Sequence, residues 1–345
     1  MAQRIKNILA IVHLPPPIHG ASLSGASIIN VLSRHHNVDV VKQSFKSSTN
    51  ENIRFKHALI LINKIIQIIK LLYVNNYNFI YITPSSRGLV LIRDVVILTI
   101  CKVFSRAKII IHFHSRLKLQ KRITNVFFLK SVRYVFASKF CQNELEGELD
   151  KAVLYNYVEN YYPKIKHDKP LNKIVFYSNL YKSKGVEDFF KIIKIIEKSN
   201  KFEVEVFGDF TDYNKDDIIK MTQKLKLRSN VYIHGPIKNN DLEPLQGADI
   251  LIFPSAFETF GKVIIEAMSL GIVPISNNVG GINEIIEDKK TGFLVNNDLN
   301  EYASRAVELL NDKNYLKTMS NSCYQRSKYF NKEKFDKTVL SLFYD

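Results

Sequence analysis

The sequence predicts an α/β protein made of two doubly wound domains in tandem. Three observations carry this. Short apolar runs alternate with longer helix-like segments throughout, the runs are continuous and rich in β-branched residues, and a polar, proline-flanked segment divides the pattern in two. Continuous apolar runs mark strands buried on both faces, as in a parallel sheet, and strand–helix alternation supplies the helices that cover it. A chain of 345 residues exceeds what one hydrophobic core usually serves, and 46% hydrophobic residues provide material for two.

In the first half, Ile5–His13 reads as a strand, Ser22–Arg34 as a helix and Val38–Val41 as a short strand. A long helix follows over about 53–74, then strand Phe79–Thr83, helix Leu89–Phe104, strand Lys108–His114 and strand Tyr134–Ala137. A helix from about Lys139 to Glu148 closes this half. Residues 160–172 (NYYPKIKHDKPLN) have the composition of a linker. The alternation restarts with Lys173–Tyr177, a helix over 186–197, Glu203–Gly208, a helix over 216–225, Val231–His234 and Ile250–Phe253. The helix Gly261–Leu270, strand Val273–Ser276 and helix Leu299–Asn311 come next, and Tyr315–Leu342 reads as helical. Two Rossmann-like domains are expected, 1–165 and 166–325, with 326–345 a terminal helix packing back on the first. Ligands of such sheets bind at the carboxyl ends of the strands, so two facing domains would hold a site in the cleft between them.

The N-terminal apolar run stops at Pro15-Pro16-Pro17 without a cleavage-site pattern, so a first buried strand is expected, not a signal peptide. The apolar stretch Ala58–Val74 is interrupted by Lys64 and Lys70, and no membrane span is expected. Cys101, Cys141 and Cys323 fit no metal or redox spacing.

The net charge of +16 is concentrated in the first half: residues 1–165 carry 23 Lys+Arg against 8 Asp+Glu, whereas 166–345 carry 26 against 25. Within residues 54–139 the only acid is Asp94. Such a field attracts an anionic partner. Arg54–Tyr73 and Arg116–Tyr134 mix cations with large apolar residues, the makeup of a helix lying in the interface of an anionic membrane or, equally, of a core helix with a solvated basic face. No nucleic-acid-binding motif accompanies the charge, so nucleic acid is not an expected partner.

The chemistry concentrates in ILIFPSAFETFGKVIIEAMSLGIVPISNNVGGINEIIEDKKTGFLV, residues 250–295. It reads as a strand, a loop over 254–260, a helix from Gly261, the Gly271 stop, a second strand and the Gly280-Gly281 turn. Gly261 lets a ligand approach the backbone, and the free N–H groups at the helix start, near Gly261–Val263, suit a diphosphate. Glu258 before the helix and Glu266 within it can accept hydrogen bonds from hydroxyls at two ends of one extended ligand.

This segment resembles the Glu-x7-Glu signature of the family 4 retaining glycosyltransferases, which have the GT-B fold of two Rossmann-like domains. The resemblance implies that Glu258 contacts the donor sugar and Glu266 the nucleotide ribose. It also implies that Thr259, Phe260 and Gly261 offer backbone amides to sugar and phosphate. Three further segments fall where the family needs them. Pro15–Gly25 (PPPIHGASLSG) matches its glycine-rich loop, with Gly20 and Ala21 permitting close approach to a phosphate; no G-K-[ST] follows, so it is not a P-loop. His112-Phe113-His114 ends a strand where the family has a histidine beside the reaction centre; His114 is the candidate, and His112 a core or supporting residue. Tyr177–Gly185 (YSNLYKSKG) resembles the segment whose arginine and lysine neutralise the donor diphosphate. Lys184 matches the lysine, but Asn179 stands where the arginine is usual, a loss that Lys182 or Lys262 would have to make good. Gly208, and Pro236 and Ile237 with Lys238, end strands that would line the nucleotide and its base.

The expectation is thus a retaining, metal-independent glycosyltransferase. It would move a hexosyl or N-acetylhexosaminyl group from a UDP- or GDP-type sugar, used as co-substrate with no other cofactor. The acceptor would be a hydroxyl of a cell-surface saccharide, carried on a polyprenyl diphosphate at the inner face of the bacterial membrane. With no obvious general base or carboxylate nucleophile, the family's front-face reaction, in which the leaving phosphate helps deprotonate the acceptor, fits. Two alternatives stay open: a nucleotide-sugar epimerase of the same fold, needing no acceptor, and a non-catalytic nucleotide-sugar-binding subunit, supported by Asn179.

Overall fold

The computed structural model describes residues 5–16, 20–43, 51–85, 88–115, 132–159, 172–237 and 241–344. The chain divides into two compact units, Met1–Tyr155 with Phe335–Asp345, and Asn156–Lys334. The linker expected over 160–172, except Asn172, and most of the basic stretch Arg116–Tyr134 lie outside the described residues.

In unit 1, β1 (Asn7–Val12), β2 (Asn37–Lys42), β3 (Phe79–Ile82), β4 (Lys108–Phe113), β5 (Val132–Phe136) and β6 (Asp150–Val153) form one parallel sheet in the order β2-β1-β3-β4-β5-β6. Residues 8–12 of β1 and all of β3 are buried, as expected of central strands covered on both faces. The edge strand β2 is mostly exposed. Helices α1 (Gly20–Ser33), α2 (Glu51–Val74), α3 (Gly88–Phe104) and α4 (Lys139–Asn143) flank the sheet. Ile68 and Leu72 of α2 join Leu91, Ile97, Leu98 and Cys101 of α3 in a core with Leu9, Ile11, Ile80, Ile82 and Ile111 from the strands.

Two expectations need correction here. The helix read over 139–148 ends at Asn143, and β6 follows at Asp150. DKAV carries too little apolar run to announce a strand, and its position at the sheet edge explains why it needs none: its residues are half-buried or exposed.

In unit 2, β7 (Lys173–Tyr177), β8 (Glu203–Phe207), β9 (Asn230–Gly235), β10 (Ile250–Phe253), β11 (Val273–Asn277) and β12 (Phe293–Val295) pair in parallel in the order β12-β11-β10-β7-β8-β9. Helices α5 (Val186–Ile196), α6 (Lys215–Lys224), α7 (Lys262–Ser269), α8 (Leu299–Asn311) and α9 (Lys313–Ser327) connect them. α5 buries Val186, Phe189, Phe190, Ile192, Ile193 and Ile196 on one face. α6 starts with a reciprocal capping box between Asn214 and Asp217. β10 is wholly buried, whereas the edge strand β9 alternates exposed and half-buried positions up to the buried Gly235.

The helix read over 315–342 is broken. α9 gives way to a 3₁₀ turn at Lys328–Phe330, and a separate helix α10 (Lys332–Leu342) follows. Just after α10, Phe343 packs within unit 1, its ring 5.5 Å from Phe79 and 5.9 Å from Tyr81, and Arg133 donates to the Leu342 carbonyl at 2.8 Å.

Sheet order positions the site. In unit 2, β7 pairs with β8 on one side and β10 on the other. The chain therefore leaves the carboxyl ends of β7 and β10 in opposite directions, the switch point at which a ligand crevice opens in such sheets.

Candidate active site

The loops after β7 and β10 are knitted together at that switch point. The Ala256 amide donates to the Ser183 carbonyl at 2.9 Å. Gly185, at φ +78°, lies so close to the Pro254 carbonyl that a Cβ would come within 2.2 Å of its oxygen. Only glycine fits both the left-handed backbone and the gap.

This contact delivers Lys184 to Glu258. Lys184 Nζ lies 2.5 Å from Glu258 Oε1, and the Ser255 hydroxyl reaches the same oxygen at 3.3 Å. Their side chains are 24% and 12% exposed, so water screens this pair less than a surface one. Behind Glu258 the Gly280-Gly281 turn presses on its backbone: a Cβ on Gly280 would sit 1.7 Å from the Glu258 carbonyl oxygen, which accepts from the Gly281 amide at 3.2 Å. Asn277, buried at the end of β11, donates to the Ser255 carbonyl at 3.0 Å.

Glu266 sits one turn into α7, 6% exposed, with both oxygens engaged. Lys262 Nζ lies 2.9 Å from Oε1, and the Tyr177 hydroxyl donates to Oε2 at 3.0 Å. Burial and the Glu266 charge push the Tyr177 phenol well above its usual range, so it stays a donor. Burial works against the charge on Lys262, but the Glu266 carboxylate outweighs it and raises the ammonium's pKa. Gly261, at φ +98°, precedes α7 in the left-handed region. The first amides of α7 have no partners within the helix itself, as at any helix start. Phe260 is buried with its ring edge-on to Phe330 at 5.6 Å.

Asn179 is exposed at the tip of the β7 loop, where its Oδ1 accepts from the Asp209 amide at 3.4 Å. Gly208 fits under the Ser178 carbonyl, 1.8 Å from where its Cβ would be, and donates to the Gly235 carbonyl at 2.8 Å. Beside it, His234 stacks on Phe207 with ring centres 4.3 Å apart and planes 8° apart. Pro236 is exposed and Ile237 half-buried; Lys238 lies outside the described residues.

The remaining candidates lie in unit 1. Gly20 begins α1, with nothing within 4 Å of where its Cβ would be, and Ala21 follows it, half-buried. The glycine this helix needs for packing is Gly25, whose Cβ would come 2.3 Å from the His13 carbonyl oxygen. His112 is the last residue but one of β4 and 1% exposed, with Nδ1 2.7 Å from the Tyr81 hydroxyl. Burial, with the neighbouring His114, holds its pKa well below the ordinary value, so it is neutral. His114 follows the strand, half-buried, its ring centre 4.0 Å from that of His112.

The structure thus pairs Lys184 with Glu258 and Lys262 with Glu266, and sets Asn179 on Asp209. Four supporting residues escape the sequence reading: Ser255, Tyr177, Asn277 and the Ser183 carbonyl. All four stand inside segments already singled out, Tyr177–Gly185 and 250–295, but only the fold shows what they touch. Among the described residues no group of three or more His, Cys, Asp or Glu could hold a metal ion, and no helix is long and apolar enough to cross a membrane.

Residues 158–326 match the family model of the group 1 glycosyl transferases. Over 341 residues the chain is 24% identical to an uncharacterized 41.2 kDa protein in the cps region of Klebsiella pneumoniae, covering 87% of this chain and 88% of that one. It is 26% identical to the capsular polysaccharide biosynthesis glycosyltransferase CapM of Staphylococcus aureus over 216 residues, 61% of this chain and 52% of CapM. Its fold matches the crystal structure of Anabaena Alr3699/HepE in complex with UDP and glucose, with a TM-score of 0.71 at 18% identity over 98% of this chain and 99% of that one. The fold is therefore GT-B, with two Rossmann-like units. Together with the match over 158–326, this defines the class: the chain is a glycosyltransferase.

Proposed function

We propose that the chain transfers a sugar, with retention, from a nucleoside-diphosphate sugar to a hydroxyl of a growing cell-surface saccharide. The observation that carries this is the Lys184–Glu258 pair at the switch point of unit 2. A cation and a carboxylate held against each other are complementary to the two halves of such a donor. The diphosphate takes over Lys184 and the amides at the start of α7, which releases Glu258 to accept hydrogen bonds from the sugar hydroxyls. Glu266, aimed by Lys262 and Tyr177, receives the ribose hydroxyls. Thr259, Phe260 and Gly261 line the passage between them. Pro236 and Ile237 take the base; by the family resemblance, Gly20 and Ala21 take a donor phosphate and His114 serves the reaction centre.

As the glycosidic bond breaks, charge develops on the leaving phosphate, where Lys184 stabilises it. The departing phosphate oxygen accepts the acceptor's proton in the front-face reaction; Glu258, released from Lys184, is engaged by the sugar hydroxyls and Ser255 and is not needed as a nucleophile. UDP is the first donor nucleotide to try, since the HepE structure holds UDP and glucose. CapM and the cps-region protein support a capsule-type saccharide as acceptor.

The acceptor reading places the enzyme at the cytoplasmic face of the membrane. Exposed apolar side chains support it: Ile62, Ile66 and Tyr73 form one stripe along α2, and Ile92, Val96 and Val103 another along α3. Exposed apolar stripes on a strongly basic unit suit an anionic lipid surface.

A thermal-shift panel of nucleotide sugars tests the donor, because a ligand that prefers the native state raises the melting midpoint. Glu258→Ala and His114→Ala should each abolish transfer while leaving the fold intact. Wild-type turnover by both would overturn the assignment.

A further inference from the structure

The Ser255 hydroxyl stands among three acceptors, one of which is the Glu258 carboxylate. Ser255 Oγ is 3.2 Å from the Phe257 carbonyl, 3.3 Å from Glu258 Oε1 and 3.4 Å from the Ser183 carbonyl. A hydroxyl has one proton to donate, and all three distances exceed the usual length of an O–H···O bond, so it is committed to none of them. The residue around it is held firmly. Ser255 is fully buried, and its carbonyl accepts from Nδ2 of Asn277 at 3.0 Å. Asn277, 2% exposed, is fixed in turn, its Oδ1 accepting from the Asn297 amide at 3.1 Å. The Ser183 carbonyl already takes the Ala256 amide at 2.9 Å.

The two oxygens of Glu258 are used differently. Oε1 takes Lys184 Nζ and the Ser255 hydroxyl, while among the described residues no hydrogen bond reaches Oε2. The carboxylate is thus oriented through one oxygen and open at the other. Under the proposed function the diphosphate draws Lys184 away, and Ser255 is then the hydrogen-bond donor left on Oε1 among the described contacts. Losing the cation also leaves the carboxylate's charge uncompensated. A hydrogen bond to an ionised acceptor is roughly twice as strong as one to a neutral carbonyl, so the single proton of Ser255 turns to Glu258.

We propose that Ser255 is the positioning residue for Glu258: its hydroxyl takes over Oε1 when a nucleotide sugar withdraws Lys184, and keeps Oε2 turned to the sugar. Asn277 holds the backbone from which that hydroxyl acts. Recognition of the sugar then follows occupation of the diphosphate site, because the Ser255 proton commits only after the cation has left. This deepens the nucleotide-sugar reading above and rests on it.

Calorimetric titration of the full chain tests it, with UDP, UDP-glucose, UDP-N-acetylglucosamine, GDP and GDP-mannose as probes. Ser255→Ala is expected to lower affinity for the sugar nucleotide that the wild type binds by roughly tenfold beyond any change in affinity for the matching free nucleotide. In a Glu258→Ala background the same substitution should leave the ratio of the two affinities unchanged, since the hydroxyl then has no carboxylate to act through. A residue that merely shaped the loop would weaken both nucleotides alike, and would do so in either background. Ser255→Cys, which fills nearly the same space with only a weak hydrogen-bond donor, should shift the ratio in the same direction as Ser255→Ala. Circular dichroism melts confirm that the variants are folded. Equal losses for both nucleotides, no loss, or a sugar-specific loss that persists in the Glu258→Ala background overturns the proposal. A wild-type chain that binds none of the probes instead overturns the nucleotide-sugar reading, and this proposal with it.

Discussion

Lys184 and Glu258 are bonded to each other, so under the function proposed above a nucleotide-sugar donor would exchange one ion pair for two sets of contacts. A diphosphate would offer Lys184 more charge than one carboxylate does, and sugar hydroxyls would then satisfy Glu258. Lys184→Ala is expected to lower kcat roughly 10²–10³-fold, since it removes a cation where charge develops on the leaving group. Steady-state kinetics would check this; a rise in KM with kcat unchanged would mean that Lys184 only binds the donor. Both residues stand out in the sequence because each lies in a motif. Tyr177, which aims Glu266, does not: a tyrosine at a strand end has many possible partners, and 89 residues separate it from the one it meets.

At the scale of elements, the loops after β7 and β10 owe their shape to glycines that admit no side chain. Gly280→Ala would drive a methyl group into the Glu258 carbonyl, 1.7 Å away, from a backbone at φ +58°. It should cost about 1–3 kcal/mol of stability and displace Glu258. Thermal melts and donor affinity should fall together, and a variant with normal melting and normal affinity would show that the turn can move aside.

The end of β4 carries a different sensitivity. Neutral His112 has its pKa held below the ordinary value by burial, and burial, with His35 and Lys6, lowers that of His36. The unfolded chain takes up these protons below about pH 6.5 while the folded chain resists. Stability contributed by the neutral form is therefore present above pH 6.5 and lost as pH falls below it, by up to about 1.4 kcal/mol per pH unit for each group. Melting midpoints should drop between pH 6.5 and 5.5, and the drop should shrink in His112→Gln; an unchanged drop would exclude His112 as a source. Strand boundaries in this region were readable from apolar runs, but edge strands such as β6 were not, because an edge position relieves a strand of the need to be apolar.

For the whole molecule, the proposed membrane reading has the excess of cations in residues 1–165 and the exposed stripes of α2 and α3 act on one partner, an anionic lipid surface. Co-sedimentation with anionic vesicles should exceed that with neutral ones and fall as salt rises from 0.05 to 0.5 M, as screening shortens the reach of the field. Ile66→Asp with Val96→Asp should reduce it without altering UDP binding. Equal recovery on neutral and anionic vesicles would sink the electrostatic part.

The sequence by itself determined the α/β class, the two-part alternation, the charge split and the two glutamates, since each is a local pattern of residue types. Only the tertiary structure decided that Lys184 meets Glu258 and that Lys262 and Tyr177 share Glu266. Those pairings depend on strand order and on loops brought together across many residues, and no local pattern encodes which parallel strand will lie beside which.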